Sequence, residues 1–558
     1  MAIDRTTARA NCDDTLIAWS TDARIEECRG FAIQRQRDGK ADPEWVPTWV
    51  GFVGDPHAPH ESRGSNVWPI QRYSWTDYLV KPGERVRYRV VAMMGPHQPG
   101  KPLTQGITGK WTPYVTVGTG EDGKGFRAFF NRGIVPGQWL AYRKLKDPTA
   151  VLKKDINDPK SANRIFLSGC LRPAILDYLA AAKRDDVDVY AALYELNDPE
   201  LIDALEALGH RCHLVLGSGA YKSGVPDENK AERKRLRDNG KIDLNDRLVK
   251  SPHFAHNKFV VVCDKNHNPA KVLTGSTNWT VTGLCTQVNN AVIFDSPQIA
   301  AAYHQRWLAL KNAGAGYPAT LAKDGSTPCK AKVYGADVTA WQVPCLKTVD
   351  LADVRTRLAG AKDGVLFLMF NPGPKGTLLN DILALDRSKL FVEGVINQDP
   401  GGKKAPVLKI VQQGHAAKTM PLRVAIPGII MDKARKWFAK ETRFNMVMIH
   451  SKTIVIDPFG KKPVVITGSH NLGPKASGKN DDNFVLIENS PELAEQYAVN
   501  IASVFAHYKM RYNQAKAAQD AKAKKKKPPQ PYDGNKDDDK WQDWYKGPEK
   551  VQEIDFWA

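Results

Sequence analysis

Residues 256–280 read HNKFVVVCDKNHNPAKVLTGSTNWT, and residues 450–473 read HSKTIVIDPFGKKPVVITGSHNLG. Each stretch has His-x-Lys, an apolar run, an aspartate and, eleven residues later, the glycine of a Gly-Ser-x-Asn segment. Twelve residues after the asparagine of that segment, a second asparagine stands beside another apolar run, AVIF in one copy and FVLI in the other. Two copies this alike do not arise from composition. They predict two homologous lobes related by a pseudo-two-fold axis.

The spacing inside each copy predicts a shared pocket. Residues two apart on a strand point to the same side, so each His-x-Lys presents an imidazole and an ammonium together. The glycine allows a tight turn, and the serine and asparagine can form hydrogen bonds to an anionic oxygen. Doubling the pattern gives a pocket for one phosphate, with groups to attack it and to protonate what leaves. The residues concerned are His256, Lys258, Ser276, Asn278, His450, Lys452, Ser469 and Asn471.

The sequence around the two copies alternates between helical and strand-like runs. PAILDYLAAAKR at 173–184 is helical in pattern, whereas DVDVYAALYEL at 186–196 and RCHLVLGSG at 211–219 are strand-like. The same rhythm returns with KLFVEGVIN at 389–397. This βαβ rhythm predicts α/β lobes, each with a mostly parallel sheet covered by helices.

The two ends of the chain differ from the middle. The N-terminal part holds short apolar or alternating runs separated by turn-rich segments, which predicts an all-β sandwich. The end of the chain begins as a low-complexity, charged segment that reads as a flexible linker. Five aromatic side chains close it, which predicts that the terminus docks back on the body: Trp541, Trp544, Tyr545, Phe556 and Trp557.

Composition narrows the class of protein. Apolar residues make up 42% of the 558 residues and charged residues 25%, which excludes fibrous, collagen-like and wholly disordered chains. The sequence has no run of the ~18–20 apolar residues that a membrane-spanning helix needs. The N-terminus lacks the apolar core of a signal peptide, so we expect a cytoplasmic protein or one exported without a classical signal. The eight cysteines form no CxxC pair and no zinc-like cluster, and no metal site is expected.

The charge points to anionic partners. Lysine and arginine number 80 against 61 aspartates and glutamates, a formal net charge of +19. A surface this basic attracts nucleic acid or anionic lipid, although charge of this kind also serves solubility.

The doubled motif closely resembles the phospholipase D superfamily, and the resemblance covers roughly residues 146–512. The N-terminal part resembles a fibronectin type III-like module. The fold expected is two phospholipase D-type α/β lobes with pseudo-two-fold symmetry, preceded by an all-β sandwich. The expected domains are a sandwich at 1–145, lobe 1 at 146–347, lobe 2 at 348–512, and a charged linker with an aromatic tail at 513–558.

The resemblance implies cleavage of a phosphodiester through a phosphohistidine, with no cofactor. One histidine attacks phosphorus and the other protonates the leaving alcohol. By this precedent His256 is the nucleophile and His450, backed by Asp482, is the general acid; the reverse assignment stays open. The expected catalytic residues are His256, His450, Lys258, Lys452, Asn278, Asn471 and Asp482; the substrate-binding ones are Ser276, Ser469 and His470; Asp264 and Asp457 are structural residues near the site.

The two copies depart from perfect symmetry at two places. Cys263 stands where the family pattern expects an aspartate, so lobe 1 either uses Asp264 with a one-residue bulge or has lost this carboxylate. Asn289 stands where lobe 2 has Asp482. A carboxylate partner raises the basicity of an imidazole, so the two histidines are not expected to be equivalent.

The motif fixes the type of bond but not the substrate. The preferred hypothesis is a phospholipase that hydrolyses the headgroup bond of a phospholipid at a membrane surface and can transfer the phosphatidyl group to another alcohol. The first alternative is a metal-independent nuclease acting on DNA or RNA. The second is an inactive binding protein. The sequence does not determine the oligomeric state, and a monomer is expected.

Overall fold

The computed structural model describes residues 2–56, 58, 61–133, 148–220, 226–373, 375–397, 423–425, 448–523 and 533–558. Within these ranges the chain forms two compact units. The first unit contains Met1–Gly118 and Ala506–Ala558, and the second contains Thr119–Gln413 and Leu422–Phe505. The doubled motif lies entirely in the second unit.

The first unit is all-β over its N-terminal part. One antiparallel sheet has the strand order β1-β2-β8, and another has the order β10-β9-β3-β4 with β11 beside β9. Alternate residues of β9 point into the main core of this unit, and Val86, Tyr88 and Val90 are fully buried there. The strands are β1 Ile3–Ala10, β2 Thr15–Thr21, β3 Cys28–Arg37, β4 Glu44–Trp45, β5 Pro47–Thr48, β6 Gly51–Phe52, β7 Arg63–Gly64, β8 Ser74–Asp77, β9 Arg85–Met94, β10 Thr104–Thr108 and β11 Val115–Thr116.

The end of the chain packs on this all-β region. Trp541 is 5% exposed, belongs to the core of the first unit, and donates a hydrogen bond to the Cys28 carbonyl at 2.9 Å. Arg24 forms ion pairs with Asp539 at 2.5 Å and Asp543 at 2.9 Å. Docking of the aromatic terminus is therefore confirmed for the described residues, with the all-β region as its partner.

Lobe 1 is built on a seven-stranded sheet with the order β12-β19-β17-β16-β13-β14-β15. Ser296 caps the long helix that follows β19, accepting a hydrogen bond from the amide of Ile299, as its place before Pro297 predicts. The strands are β12 Arg127–Phe130, β13 Val189–Leu193, β14 Cys212–Gly217, β15 Asp243–Arg247, β16 Lys258–Cys263, β17 Pro269–Gly275, β18 Gln287–Val288 and β19 Asn290–Asp295; the helices are α1 Pro148–Asn157, α2 Ala162–Ser168, α3 Leu171–Arg184, α4 Pro199–Glu206, α5 Lys230–Asn239, α6 Val281–Cys285 and α7 Pro297–Ala313.

Lobe 2 repeats this order with one extra edge strand. Its sheet runs β20-β21-β28-β27-β26-β22-β23-β24, so β21 to β24 correspond one by one to the seven strands of lobe 1. The strands are β20 Cys329–Val333, β21 Ala336–Val343, β22 Gly364–Met369, β23 Phe391–Ile396, β24 Arg423–Ala425, β25 Met448–Ile449, β26 Thr453–Ile456, β27 Val464–Gly468 and β28 Asp482–Glu488; the helices are α8 Ala319–Asp324, α9 Val349–Ala359, α10 Leu378–Leu383, α11 Pro474–Lys479 and α12 Pro491–Ala523. The expected fold class, two homologous α/β lobes after an all-β region, is confirmed.

Three details differ from expectation. The sheets are mixed, because only β13, β14 and β15, with their counterparts in lobe 2, pair in parallel. The first boundary lies at Gly118–Thr119 and not at 145, since β12 joins the sheet of lobe 1. Strands β20 and β21 also belong to lobe 2, although they precede residue 347, where lobe 1 was expected to end.

The charged tail also begins later than expected. Helix α12 continues to Ala523, well past residue 512, and the lysine-rich run that follows lies largely outside the described residues. Among the helices described, none alone is long and apolar enough to cross a membrane. The pair α2 and α3, bent by 86°, meets that test on length and composition only.

Candidate active site

Short contacts between the lobes bring the two His-x-Lys segments together. Strand β18 of lobe 1 pairs in parallel with β25 of lobe 2, and the amide of His450 donates to the Val288 carbonyl at 3.0 Å. The symmetry-related contact joins Phe254 to Asn480, and the amide of Asp481 donates to the Phe254 carbonyl at 2.8 Å. Each histidine therefore lies beside the segment of the other lobe that leads into its last strand, β28 for His256 and β19 for His450.

This crossing decides the partner of each histidine. Nδ1 of His256 lies 2.8 Å from Oδ1 of Asp482, which comes from the other lobe. Nδ1 of His450 lies 3.0 Å from Oδ1 of Asn289 and 3.1 Å from the Ser276 carbonyl. The expectation that Asp482 backs His450 is wrong. A motif read within one copy does not reveal that the lobes exchange these side chains.

Both imidazoles hold their Nδ1 proton toward an acceptor. The amide of Asn289 donates from Nδ2 to the Gly283 carbonyl at 2.9 Å, which turns its Oδ1 toward His450. Asp482 offers a carboxylate oxygen to His256. In both histidines Nδ1 is therefore engaged by protein, and Nε2 is the nitrogen left to meet a ligand.

The two lysines are buried beside the histidines. Lys258 and Lys452 are 2% and 1% exposed. Each Nζ donates to the carbonyl of the histidine two residues earlier, at 2.8 Å and 2.5 Å. Each also lies 4.7 Å from the centre of an aromatic ring, Tyr194 in lobe 1 and Phe370 in lobe 2. The expected delivery of two imidazole–ammonium pairs agrees with this geometry.

The serines serve the histidine partners and do not face a substrate. Ser276 donates to Oδ1 of Asn289 at 2.8 Å, and Ser469 donates to Oδ1 of Asp482 at 2.6 Å. Each hydroxyl oxygen also accepts from a backbone amide at 3.1 Å, and both residues are 0% exposed. The expectation that Ser276 and Ser469 bind substrate is therefore corrected: they hold the groups that orient His450 and His256.

The asparagines of the Gly-Ser-x-Asn segments do have unused acceptors. Oδ1 of Asn278 and Oδ1 of Asn471 are buried and accept no hydrogen bond from any described residue. Nδ2 of Asn278 donates to Oε2 of Glu195 at 2.6 Å. Both side chains thus offer an acceptor to a ligand, whereas the sequence predicted that they bind anionic oxygens, which requires a donor. Glu195, which no motif in the sequence marked, is an additional member of the site.

A second pair of asparagines, Asn290 and Asn483, ties the lobes together below the site. Oδ1 of Asn290 accepts from Thr467 at 2.8 Å and from Tyr497 at 3.1 Å, both in lobe 2. Oδ1 of Asn483 accepts from the lobe 1 residues Thr274 at 2.6 Å and Tyr303 at 3.1 Å. Their equal spacing in the two copies was the sequence signal for this network.

His470 lies in the interior and does not face a substrate. It is 0% exposed, and its Nδ1 accepts from the amide of Leu472 at 2.9 Å. Its Nε2 lies 3.2 Å from Oδ2 of the buried Asp350 and 3.2 Å from the hydroxyl of Ser477. The expected substrate role of His470 is wrong, because a buried carboxylate binds the nitrogen that would have faced the ligand.

The motif aspartates act away from the histidines. The carboxylate of Asp457 accepts from the backbone amides of residues 362–364 at 2.7–3.1 Å, tying together two strand ends seven residues beyond His450. Asp264 caps a hairpin turn by accepting from Asn266 and Asn268, both at 2.9 Å. Both are structural as expected, but at the far ends of their strands.

Cys263 occupies the place that Asp457 has in lobe 2. The amide of Cys263 donates to the Asp188 carbonyl, as the amide of Asp457 does to that of Gly364. The pairing of β16 with β17 shifts register between Val262 and Cys263, so a bulge is present at this point. Lobe 1 has therefore lost the carboxylate that ties strand ends in lobe 2, and Asp264 does not replace it.

The electrostatics of the site favour an anion. Burial lowers the pKa of His256 to about 4, although the charge of Asp482 opposes this. Burial, together with the charges of Lys452 and Lys258, holds the pKa of His450 well below its usual range. Burial also lowers the pKa of Lys258 to about 8. Four basic groups thus share a desolvated space, and a bound anion would favour their protonated forms.

Comparison with known proteins identifies the family of this arrangement. A family model described as "Cardiolipin synthase, PLD-like domain" matches residues 156–310 and 354–505, which together exceed half of the chain. The chain belongs to the PLD-like family. Each matched segment lies within one of the two lobes, so the PLD-like domain occurs twice in one chain.

Two curated relatives are named phospholipase D. The one from Rickettsia conorii is 29% identical over 123 residues, which is 22% of this chain and 55% of the relative. The one from Rickettsia bellii is 29% identical over 148 residues, which is 26% of this chain and 65% of the relative. The chain thus spans 55% and 65% of the lengths of these two relatives.

The solved structures that are similar to this chain include those of two bacterial proteins. Phosphatidylserine synthase of Haemophilus influenzae is 12% identical, with a TM-score of 0.41, over 64% of this chain and 92% of that one. Nuc of Salmonella typhimurium, a phospholipase D family member, is 21% identical, with a TM-score of 0.22, over 27% of this chain and 91% of that one.

Proposed function

We propose that this PLD-like chain hydrolyses the headgroup phosphodiester of phospholipids through a covalent phosphohistidine. The observation that carries the proposal is the meeting of His256 and His450, from two homologous lobes. Each has Nδ1 bound by protein, and no hydrogen bond joins its Nε2 to the described residues. Two buried ammonium groups lie beside them. This set matches what a double displacement at phosphorus requires: a nucleophile, an acid and positive charge around the non-reacting oxygens.

His256 is the nucleophile in this proposal. Asp482 accepts a hydrogen bond from Nδ1 of His256 and stabilises the positive charge that the ring gains as Nε2 bonds to phosphorus. The P–O bond to the headgroup alcohol breaks as the P–N bond forms. His450 donates its Nε2 proton to the departing oxygen, and the negative charge of the bound phosphodiester favours the protonated form needed for that step.

The second half of the reaction reverses these roles. The neutral His450 removes a proton from water, the water oxygen attacks phosphorus, and the P–N bond breaks to release phosphatidic acid. An alcohol in place of water gives the phosphatidyl alcohol. Lys258 and Lys452 each use one donor on a histidine carbonyl, so each keeps two N–H groups for phosphoryl oxygens.

A phospholipid is the preferred substrate because both lobes lie in one chain and because the curated relatives carry the name phospholipase D. The net charge of +19 favours a second candidate, a nuclease that uses the same histidines on DNA or RNA. An inactive binding protein is not favoured, because both imidazole–ammonium pairs are intact.

The experiment compares the two substrates directly. The protein is incubated in EDTA with phosphatidylethanolamine or phosphatidylcholine vesicles plus a primary alcohol, and in parallel with single- and double-stranded DNA. We expect phosphatidyl alcohol and no cleaved DNA. His256→Ala and His450→Ala should each abolish turnover, whereas His267→Ala, a histidine bound to Asp188 outside the site, should not. Cleavage of DNA alone would refute the phospholipase.

A further inference from the structure

One position at the edge of the site breaks the symmetry of the two lobes. Strand β13 pairs with β16, and β22 pairs with β26, in equivalent registers, so Tyr194 corresponds to Phe370. The next residues are Glu195 in lobe 1 and Asn371 in lobe 2. A carboxylate therefore stands in one half of the site where the other half has an amide.

A second pair of equivalent positions shows the same difference, with a carboxylate in one half of the site and an amide in the other. Asp482 lies beside His256, whereas Asn289 occupies the equivalent place beside His450. Both carboxylates of these two pairs belong to the His256 half, and both amides belong to the His450 half. The site is thus polarised along the direction from one histidine to the other.

Glu195 contacts the ligand-facing residue Asn278. Oε2 of Glu195 accepts from Nδ2 of Asn278 at 2.6 Å, which fixes the orientation of that amide. Oδ1 of the same amide is left without a hydrogen-bond donor among the described residues, and Asn278 is 4% exposed. A buried acceptor of this kind, next to a carboxylate, suits a ligand that brings N–H donors and positive charge.

Neighbouring groups reinforce this character. Glu228 and Glu195 both border Gly219: a Cβ on that glycine would lie 3.0 Å from Oε2 of Glu228 and 3.5 Å from Cγ of Glu195. The charge of Glu195 also acts on both lysines, raising their pKa against the larger lowering effect of burial. Oε2 of Glu228 accepts from the amide of Ala220 at 2.7 Å, and the charges of both Glu228 and Glu195 act on Tyr194 beside Lys258. This negative charge makes the edge of the site favourable for a cation.

We propose that Glu195 and Asn278 form a subsite for an ammonium group, and that Glu195 makes the enzyme select phosphodiesters whose alcohol carries one. The inference rests on the proposed function, since it names the headgroup class that the same site accepts. An ammonium near the phosphate can approach both Oδ1 of Asn278 and the carboxylate of Glu195. A neutral alcohol gains no such charge interaction.

The same subsite disfavours a nucleic acid backbone. A chain of phosphates places further negative charge on both sides of the bond to be cleaved, and Glu195 lies at one of those sides. The polarity of the site therefore points to a zwitterionic phosphodiester with a primary ammonium group, such as an ethanolamine ester, in preference to a polyanion.

The test compares two lipids that differ in the headgroup charge. Hydrolysis of phosphatidylethanolamine and phosphatidylglycerol with the same acyl chains is measured on the full chain and on E195Q. Glutamine keeps an oxygen that can accept from Asn278, so the substitution removes the charge while preserving that hydrogen bond. We expect the ratio of kcat/KM for the two lipids to fall about tenfold in E195Q, mainly through the ethanolamine lipid.

The control moves the carboxylate to the symmetry-related position. In E195Q/N371D the total charge equals that of the unmodified chain, but the carboxylate lies in the His450 half. If its position matters, the preference for ethanolamine stays lost in this double variant. If the double variant regains the original ratio, or if E195Q lowers both lipids equally, the subsite is refuted and Glu195 serves only to orient Asn278.

A binding measurement separates this inference from the proposed function. Calorimetry with glycerophosphoethanolamine and glycerophosphoglycerol needs no cleavage of lipid. Tighter binding of the ethanolamine ester by the unmodified chain, lost in E195Q, supports the subsite even if neither lipid is hydrolysed, an outcome that would refute the phospholipase alone. Equal affinity for both esters would refute the subsite even if both lipids are hydrolysed.

Discussion

The His256 half and the His450 half of the site have nearly the same backbone but different charge. Each histidine lies beside the other lobe, each lysine donates to a histidine carbonyl, and each serine holds a histidine partner. Yet one imidazole meets a carboxylate and the other an amide. In the proposed mechanism the shared contacts position a phosphate between the lobes, and the difference in charge gives the two imidazoles separate chemical tasks.

The largest expected effect comes from removing each histidine in turn. On a phospholipid, both His256→Ala and His450→Ala should lower the rate by about 10⁴-fold or more. On bis(p-nitrophenyl) phosphate, whose leaving phenolate needs no proton, His450→Ala should recover about 10²-fold or more relative to His256→Ala. Steady-state kinetics on the two substrates measure this difference. Equal rates for the two variants on the activated ester would contradict the assignment of His256 as nucleophile and His450 as acid.

The next effect concerns the partners of the histidines. Asp482→Asn should lower kcat by about 10²–10³-fold, because the neutral side chain no longer stabilises positive charge on His256. Asn289→Ala should cost only about tenfold, since it removes one neutral acceptor from His450 while the Ser276 carbonyl remains. Rates for the two variants, with folding checked by circular dichroism, test the comparison. A larger loss for Asn289→Ala would reverse the assigned roles.

The pH dependence of kcat/KM sharpens the same contrast. His256 must be unprotonated to attack, so kcat/KM should fall as the pH drops through the pKa of about 4. Because Asp482 raises that pKa, Asp482→Asn should move this acid limb to lower pH. The fall at higher pH should have two causes, because His450 must be protonated and Lys258 must be charged: burial holds the pKa of His450 well below its usual range and lowers that of Lys258 to about 8. An acid limb that Asp482→Asn leaves in place would contradict the pairing of Asp482 with His256.

The smallest effect should come from the two serines. Ser469→Ala removes a hydrogen bond to a buried carboxylate, and should lower the free energy of unfolding by about 1.5–3 kcal/mol. Ser276→Ala removes one to a neutral amide, and should lower it by about 0.5–1.5 kcal/mol. Urea denaturation of both variants measures the difference. Equal losses would show that the charge beside His256 does not distinguish these bonds.

The repeat in the sequence predicted the fold class, and it marked most of the residues that the structure brings together in the candidate site. His256, Lys258 and Asn278, with their counterparts, could be identified because their spacing survives in both copies. The exchange of Asp482 and Asn289 between lobes could not be identified, because it depends on the strand contacts at Val288 and Phe254. Nor did any local pattern mark Glu195, whose position follows from the register of β13 and β16. His470, Ser276 and Ser469 do not bind substrate as expected, because neighbouring parts of the chain bury these side chains and bind their polar atoms.

The all-β region was predicted from its alternating runs, whereas its boundary was not. Strand β12 has the same alternation as the strands before it, and only its pairing with β19 assigns it to lobe 1. The parallel pairing expected from the βαβ rhythm applies to three strands of each lobe. The other strands of these two sheets pair antiparallel, and their apolar runs alone do not reveal the direction of pairing.

Identifying which histidine becomes phosphorylated tests the proposed mechanism directly. His450→Ala, which should slow hydrolysis of the intermediate, is incubated with bis(p-nitrophenyl) phosphate, quenched at alkaline pH and digested for mass spectrometry. If His256 is the nucleophile, we expect a phosphoryl adduct on the peptide that contains His256, and none in His256→Ala. An adduct on His450 in His256→Ala, with none on His256 in His450→Ala, would contradict it.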